Sequence, residues 1–225
     1  MHNHIRFLKA MMTKEILSFI RNRYDMLNSL IFFVLIIVLF PLAMGNHLEH
    51  LSTISSAVIW VSLLLSITLS LDKLFKEDYD TGILQQLILQ PIPLSFIVVC
   101  KILIFWLIHL LPLIFIAPLL LMMLDFPLQG YLPLLLTLIV GSLVMSFIGA
   151  MGAALTLGVR QKSILLSLIT LPFYIPVLIF STMAVDNAIS HLAYSGYIAI
   201  LLAILCVTVL FSPPLISLSL KLSIK

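Results

Sequence analysis

Residues 131–162 read YLPLLLTLIVGSLVMSFIGAMGAALTLGVRQK, twenty-nine positions without a charged side chain followed by Arg160 and Lys162. About 20 helical residues cross a hydrocarbon core of roughly 30 Å, so this stretch is long enough to span a bilayer. Translocated loops lose Lys and Arg while cytoplasmic loops keep them, so the two cations at its end also carry an orientation. The same test applied along the chain gives spans at 26–45, 51–71, 102–124, 131–159, 163–184 and 196–219. All twelve Lys and Arg then fall on one side. Arg6, Lys9, Lys14, Arg21 and Arg23 precede the first span, and Lys73, Lys76 and Lys101 follow the second. Arg160 and Lys162 follow the fourth, and Lys221 and Lys225 the sixth. The pattern predicts an all-α polytopic membrane protein: six transmembrane helices, both termini cytoplasmic, and residues 220–225 as a short tail.

Composition agrees. Of 225 residues, 62% are hydrophobic and 9% charged, with a mean hydropathy of +1.25. Ordinary globular domains carry about 25% charged residues. The net charge of +3 is explained by the topology signal and by anionic inner-leaflet lipid, with no need for nucleic acid. Cys100 and Cys206 form neither a CxxC pair nor a CxxCH haem-attachment motif. The apolar run at 26–45 exceeds the roughly 7–15 residues of a signal-peptide core, so it reads as an uncleaved span.

Ahead of it, Ile5, Leu8, Met12, Ile16, Phe19 and Ile20 recur at steps of three and four, with Arg6, Lys9, Lys14 and Arg21 off that stripe. This predicts an amphipathic helix on the inner surface, within residues 1–25. In the fourth span Ser146, Ala150, Ala154 and Gly158 form a small-residue stripe, with Gly141, Gly149 and Gly152 nearby. Such stripes let helix backbones approach in lipid. Pro172 and Pro176 in the fifth span, and Pro112 and Pro118 in the third, are expected bends.

Residues 72–101, DKLFKEDYDTGILQQLILQPIPLSFIVVCK, form the single long polar connection. Glu77, Asp78 and Asp80 precede Gly82. Leu84, Leu87 and Ile88 make a short apolar stripe, and Pro91 and Pro93 close it. A short surface helix flanked by acids suits docking against a soluble partner; a merely solvated loop is the plainer reading.

This succession of acidic cluster, Gly82, Leu84-x-x-Leu87 and Pro91-x-Pro93 resembles the coupling region of ABC-2-type exporter permeases. The segment before the first span is similar to the elbow helix of that group. FPLAMG at 40–45, VIWVSLLLS at 58–66, LFKEDYDTGILQQLILQPIPL at 74–94 and FIGAMGAALTLGVRQKSILLSLITLPFYIPVLIF at 147–180 resemble the haem exporter B subunit of the cytochrome c maturation system. The similarity runs almost end to end. Ile83 and Gln85 depart from related permeases, which often have Ser or Thr and then Glu at these places. The resemblance implies a bacterial inner-membrane permease working as a homodimer with an ABC ATPase subunit, a haem-handling membrane subunit and a periplasmic haem chaperone. It implies that Glu77, Asp78, Asp80, Gly82, Leu84 and Leu87 meet the ATPase. Haem is then cargo, and ATP sits on the partner. Either the subunit passes haem itself, or it converts ATPase motion into release of haem-loaded chaperone.

The residues bear on that choice. No G-x-x-x-x-G-K-[ST] occurs, so the backbone nest and lysine that hold phosphates are missing. The chain is expected to be no enzyme by itself. Haem iron takes His among its ligands, which makes His109 in the third span and His47, His50 and His191 in outward loops the candidates. A histidine inside a span serves equally well as a hydrogen-bonding link between helices. No Lys or Arg is expected deep in a span, where a haem propionate would need one, and this favours a mechanical role. An intramembrane enzyme would need acids or a nucleophile at bilayer depth, and Asp72, Asp125 and Asp186 fall at helix ends. A secondary transporter would need buried acids and internal repeats. A permease for another substrate and a membrane scaffold remain as alternatives.

Overall fold

A computed structural model of the chain describes residues 12–14, 17, 23–45, 51–158 and 162–223. Peptide groups in lipid have no water to bond, so each span satisfies its own backbone as a helix. Among the described residues six helices are long and apolar enough to cross a membrane. We number the helices α1 (Arg23–Met44), α2 (Leu51–Leu71), α3 (Lys76–Asp80), α4 (Ile83–Ile88), α5 (Leu94–Phe105), α6 (Leu111–Leu121), α7 (Tyr131–Leu155), α8 (Lys162–Ile189) and α9 (Ser195–Leu222). The protein is an all-α polytopic membrane protein.

Each expected span falls on one long apolar stretch of helix, with different ends for several. The third begins at Leu94, so the polar connection closes at Pro93 and both Cys100 and Lys101 lie inside α5. The fifth runs to Ile189, which leaves a shorter turn before α9 than the expected 185–195 connection. The fourth ends at Leu155, and Gly158 lies beyond it with φ 83°. Gly158 therefore closes a turn, and the packing stripe stops at Ala154.

α7 is the central helix. In the second and fourth spans 67% of residues are buried, against 17%, 22% and 17% in the first, fifth and sixth, so α2 and α7 form the interior. α7 packs most extensively on α9 and α8. Ser146, Ala150 and Ala154 are fully buried, and Ser219 Oγ on α9 donates to the Ala154 carbonyl at 3.0 Å. Gly141 faces the Trp60 ring of α2, and Gly149 lies against Leu71 and Tyr174. The Tyr174 hydroxyl donates to the Met145 carbonyl at 3.0 Å. Interhelical hydrogen bonds of this kind are worth about 0.6 kcal/mol each in lipid. Pro172 and Pro176 instead face outward on α8, which runs through both without a break. Neither ring is buried against another helix of this chain.

Between α5 and α6 the chain widens into a π-helical turn, Trp106–Leu110, in which the Leu111 N–H reaches the Trp106 carbonyl. Pro112 follows at once. It has no N–H to give, and its ring crowds the carbonyl four residues back, so the wider turn absorbs the misfit. The bend expected at Pro112 takes this form. Trp106 Nε1 donates to Ser142 Oγ on α7 at 2.8 Å, which ties the turn to the centre.

Side-chain bonds set which helix ends share a face. Asp72, just after α2, accepts from Ser163 near the start of α8 at 2.9 Å. Ser95 of α5 donates to Ser217 of α9 at 3.2 Å. These ends carry Lys73, Lys76, Lys162 and Lys221, and we call this the basic end. At the opposite end Ser56 of α2 donates to Asp186 of α8 at 3.0 Å.

Candidate functional site

The residues between α2 and α5 fold back on the basic end as two short helices, and the sequence spacing explains their orientation. Leu74, Phe75 and Asp78 are three and four positions apart and share one face. All three are buried: Leu74 is 7% exposed, Phe75 2% and Asp78 2%. Lys76, Tyr79 and Asp80 turn outward. Gly82 has φ 72° between α3 and α4, a left-handed conformation that a side chain would strain. Leu84 anchors α4 by its burial, while Gln85, Gln86 and Leu89 stay exposed and Leu87 is half-buried. Pro93 then caps α5, where its missing N–H is not needed.

Asp78 was expected on an outward docking face with Glu77 and Asp80, and the structure corrects this. Its carboxylate is held between two ammonium groups. Lys101 Nζ of α5 lies 2.5 Å from one oxygen, and Lys14 Nζ, from the segment before the first span, meets the other. The Lys101 side chain is only 7% exposed and that of Lys14 37%. Lys101 sits seven residues into α5, roughly 10 Å along the helix from Leu94. A cation thus lies inside the third span, near its basic end. A buried ammonium is tolerated there because an acid meets it. Removing one partner of such a buried pair costs about 3–5 kcal/mol, since the remaining charge stays uncompensated. The outer Lys14 arm, more exposed, contributes less.

Sequence reasoning missed this grouping, although a signal was present. Lys101 stands alone in the apolar run FIVVCKILIF. An ionisable residue within such a run calls for a partner, and the acids at 77–80 are the nearest in sequence. Beside the clamp lies a cavity of about 400 Å³ lined by Tyr79, Asp80, Leu84, Gln85 and Ser223. It brings α3, α4 and the end of α9 to one mouth, with an acid, an amide, a hydroxyl and an aromatic ring around it.

The histidines are not gathered. His109 lies in the π-helical turn near the middle of the third span and stacks on Phe105, ring centroids 4.5 Å apart and 21° from parallel. His191 is exposed in the turn after α8, with φ 56°. His47 and His50 lie outside the described residues. Among the described residues no group of three or more His, Cys, Asp or Glu is placed to hold a metal.

Comparison with known proteins bears on what the basic end serves. Residues 6–223 match the model of the CcmB protein family. The chain is 37% identical to the "Heme exporter protein B" of Pseudomonas aeruginosa over 214 residues, 95% of this chain and 96% of that one. It is 39% identical to the protein so named in Haemophilus influenzae, covering 94% and 96%. With that of Escherichia coli K12 it shares 40%, covering 91% and 93%.

Proposed function

The chain belongs to the CcmB family, and on that basis we propose that it is the permease subunit of an ATP-driven haem exporter in c-type cytochrome biogenesis. In this reading it lies in the bacterial inner membrane with both termini cytoplasmic, as the one-sided Lys and Arg favour. The basic end then faces the cytoplasm. A separate ABC ATPase docks there, haem is the cargo, and a haem-handling membrane subunit and a periplasmic haem chaperone complete the path. The subunit works as a homodimer and carries no ATPase activity itself.

The observation that carries this reading is the pair of short helices at the basic end. They are anchored by Leu74, Phe75 and Leu84 and present Lys76, Asp80, Gln85 and Leu89 outward. Leu89 is 84% exposed and adds an apolar side chain to this outward face. The sequence has no phosphate-binding loop, so energy has to arrive through a partner at such a face.

A mechanical role for the subunit is favoured over a conduit. The cation found inside a span, Lys101, is already engaged by Asp78 and is poorly placed to meet a propionate. The histidines are dispersed.

The test is co-purification from the native membrane. Asp80→Lys combined with Leu89→Asp changes the outward face without touching the buried one. The double variant should accumulate normally, lose the ATPase and lose c-type cytochrome maturation. ATPase recovery equal to wild type would rule out docking at this face.

A further inference from the structure

We propose that Asp78 is a positioning residue, a strut that carries displacement of the docking helices directly into the third span and the segment before the first. This rests on the reading above, that an ATPase docks on α3 and α4.

The covalent route from α3 to α5 is poorly suited to transmit a push. It passes through Gly82, in a left-handed conformation with φ 72°, and then through Pro91 and Pro93. Between these breaks lies a helix of six residues, Ile83–Ile88. Force entering at α3 along that route would be absorbed by rotation about the breaks. The Asp78–Lys101 pair bypasses all of it. It joins residues 23 apart in sequence at 2.5 Å, and its far end lies on α5 about two turns inside the span.

α5 leads directly into the π-helical turn at Trp106, whose indole is bonded to Ser142 of the central helix. The second oxygen of Asp78 engages Lys14, so the same carboxylate also holds the segment ahead of α1. One buried acid thus meets three parts of the chain: the docking helix, the third span and the segment before the first. A carboxylate does this where an apolar side chain would not, because a buried ion pair has a fixed geometry and is costly to separate. Apolar contacts slide more cheaply.

The experiment uses the intact complex from its native membrane. It measures bound ATPase, ATP turnover and holocytochrome c formed per ATP hydrolysed. Asp78→Asn should retain the ATPase and its turnover while holocytochrome c per ATP falls at least tenfold. Asp78→Glu, which keeps the charge, should restore at least half of it. A merely structural role would lower turnover and yield together, in proportion to protein level, and that result would overturn the proposal.

Should Asp78→Asn fail to accumulate, Asp78→Asn with Lys101→Met removes both buried charges and the penalty of stranding one. This pair should accumulate and still be uncoupled; normal yield per ATP would overturn the strut. Wild-type complex without ATPase would refute the docking reading itself. Wild type with ATPase beside fully coupled variants refutes only the inference.

Discussion

Adding one methyl group at Gly149 should destabilise this protein measurably, and the amount follows from what surrounds it. A Cβ there would lie 2.1 Å from Leu71 Cδ1 and 2.4 Å from the Tyr174 hydroxyl. Carbon atoms in contact prefer about 3.5–4.0 Å, so the methyl is roughly 1.5 Å too close to a fully buried neighbour. Over-packing of this kind costs about 1–3 kcal/mol. If Tyr174 moves aside it also gives up its bond to the Met145 carbonyl, about 0.6 kcal/mol more. Ala recovers about 0.5–1 kcal/mol over Gly inside a helix, so Gly149→Ala should cost about 1–3 kcal/mol net, a fall of about 3–10 °C in melting temperature for a chain of this size.

Gly196 provides the control. It lies in the first turn of α9, and a methyl added there would meet nothing within 4 Å, so Gly196→Ala should leave stability unchanged or raise it slightly. Both tryptophans are well placed to report. Trp60 is fully buried beside α7, and Trp106 is bonded to it. Thermal unfolding in detergent, followed by intrinsic fluorescence, reads the core directly. If Gly149→Ala melts within about 2 °C of wild type and of Gly196→Ala, the tight approach of α7 to α2 and α8 is wrong.

Two further outcomes are expected. In a Cys100→Ser, Cys206→Ser background, Gln90→Cys should react only with reagents that enter the cell and Ser190→Cys with an impermeant one from outside; the reverse labelling would invert the proposed orientation. His109→Gln should leave c-type cytochrome maturation unchanged, because a glutamine fills the turn beside Phe105 but binds no iron. A lost yield together with a lost Soret band in the purified complex would make His109 a haem ligand.

The spans were legible because hydrophobic length is a strong signal in lipid. The second was bounded at 51–71 and is Leu51–Leu71 in the structure. The small-residue face of the fourth was equally readable, since Ser146, Ala150 and Ala154 lie on one side of any helix and only close packing rewards them. The start of the third span was not. Lys101 read as the end of a polar connection, when its charge is met by an acid 23 residues earlier and α5 runs straight through it. Pairing across such a separation leaves no periodicity to detect. Asp78 failed for a related reason. Among acids in a loop, one is assumed to face water, and only the phase set by Leu74 and Phe75 turns it inward. The π-helical turn follows from Pro112, but proline announces a distortion without saying which kind.

The contact between α7 and α9 has a consequence for how the protein is made. α7 leaves the ribosome with a face of glycine, alanine and serine, and α9, which covers much of that face, follows only after α8. Until Ser219 reaches the Ala154 carbonyl and Ser217 meets Ser95, that face has lipid where it needs a neighbouring backbone. Without α9 that face would stay against lipid, so the folding of α7 is tied to the arrival of α9.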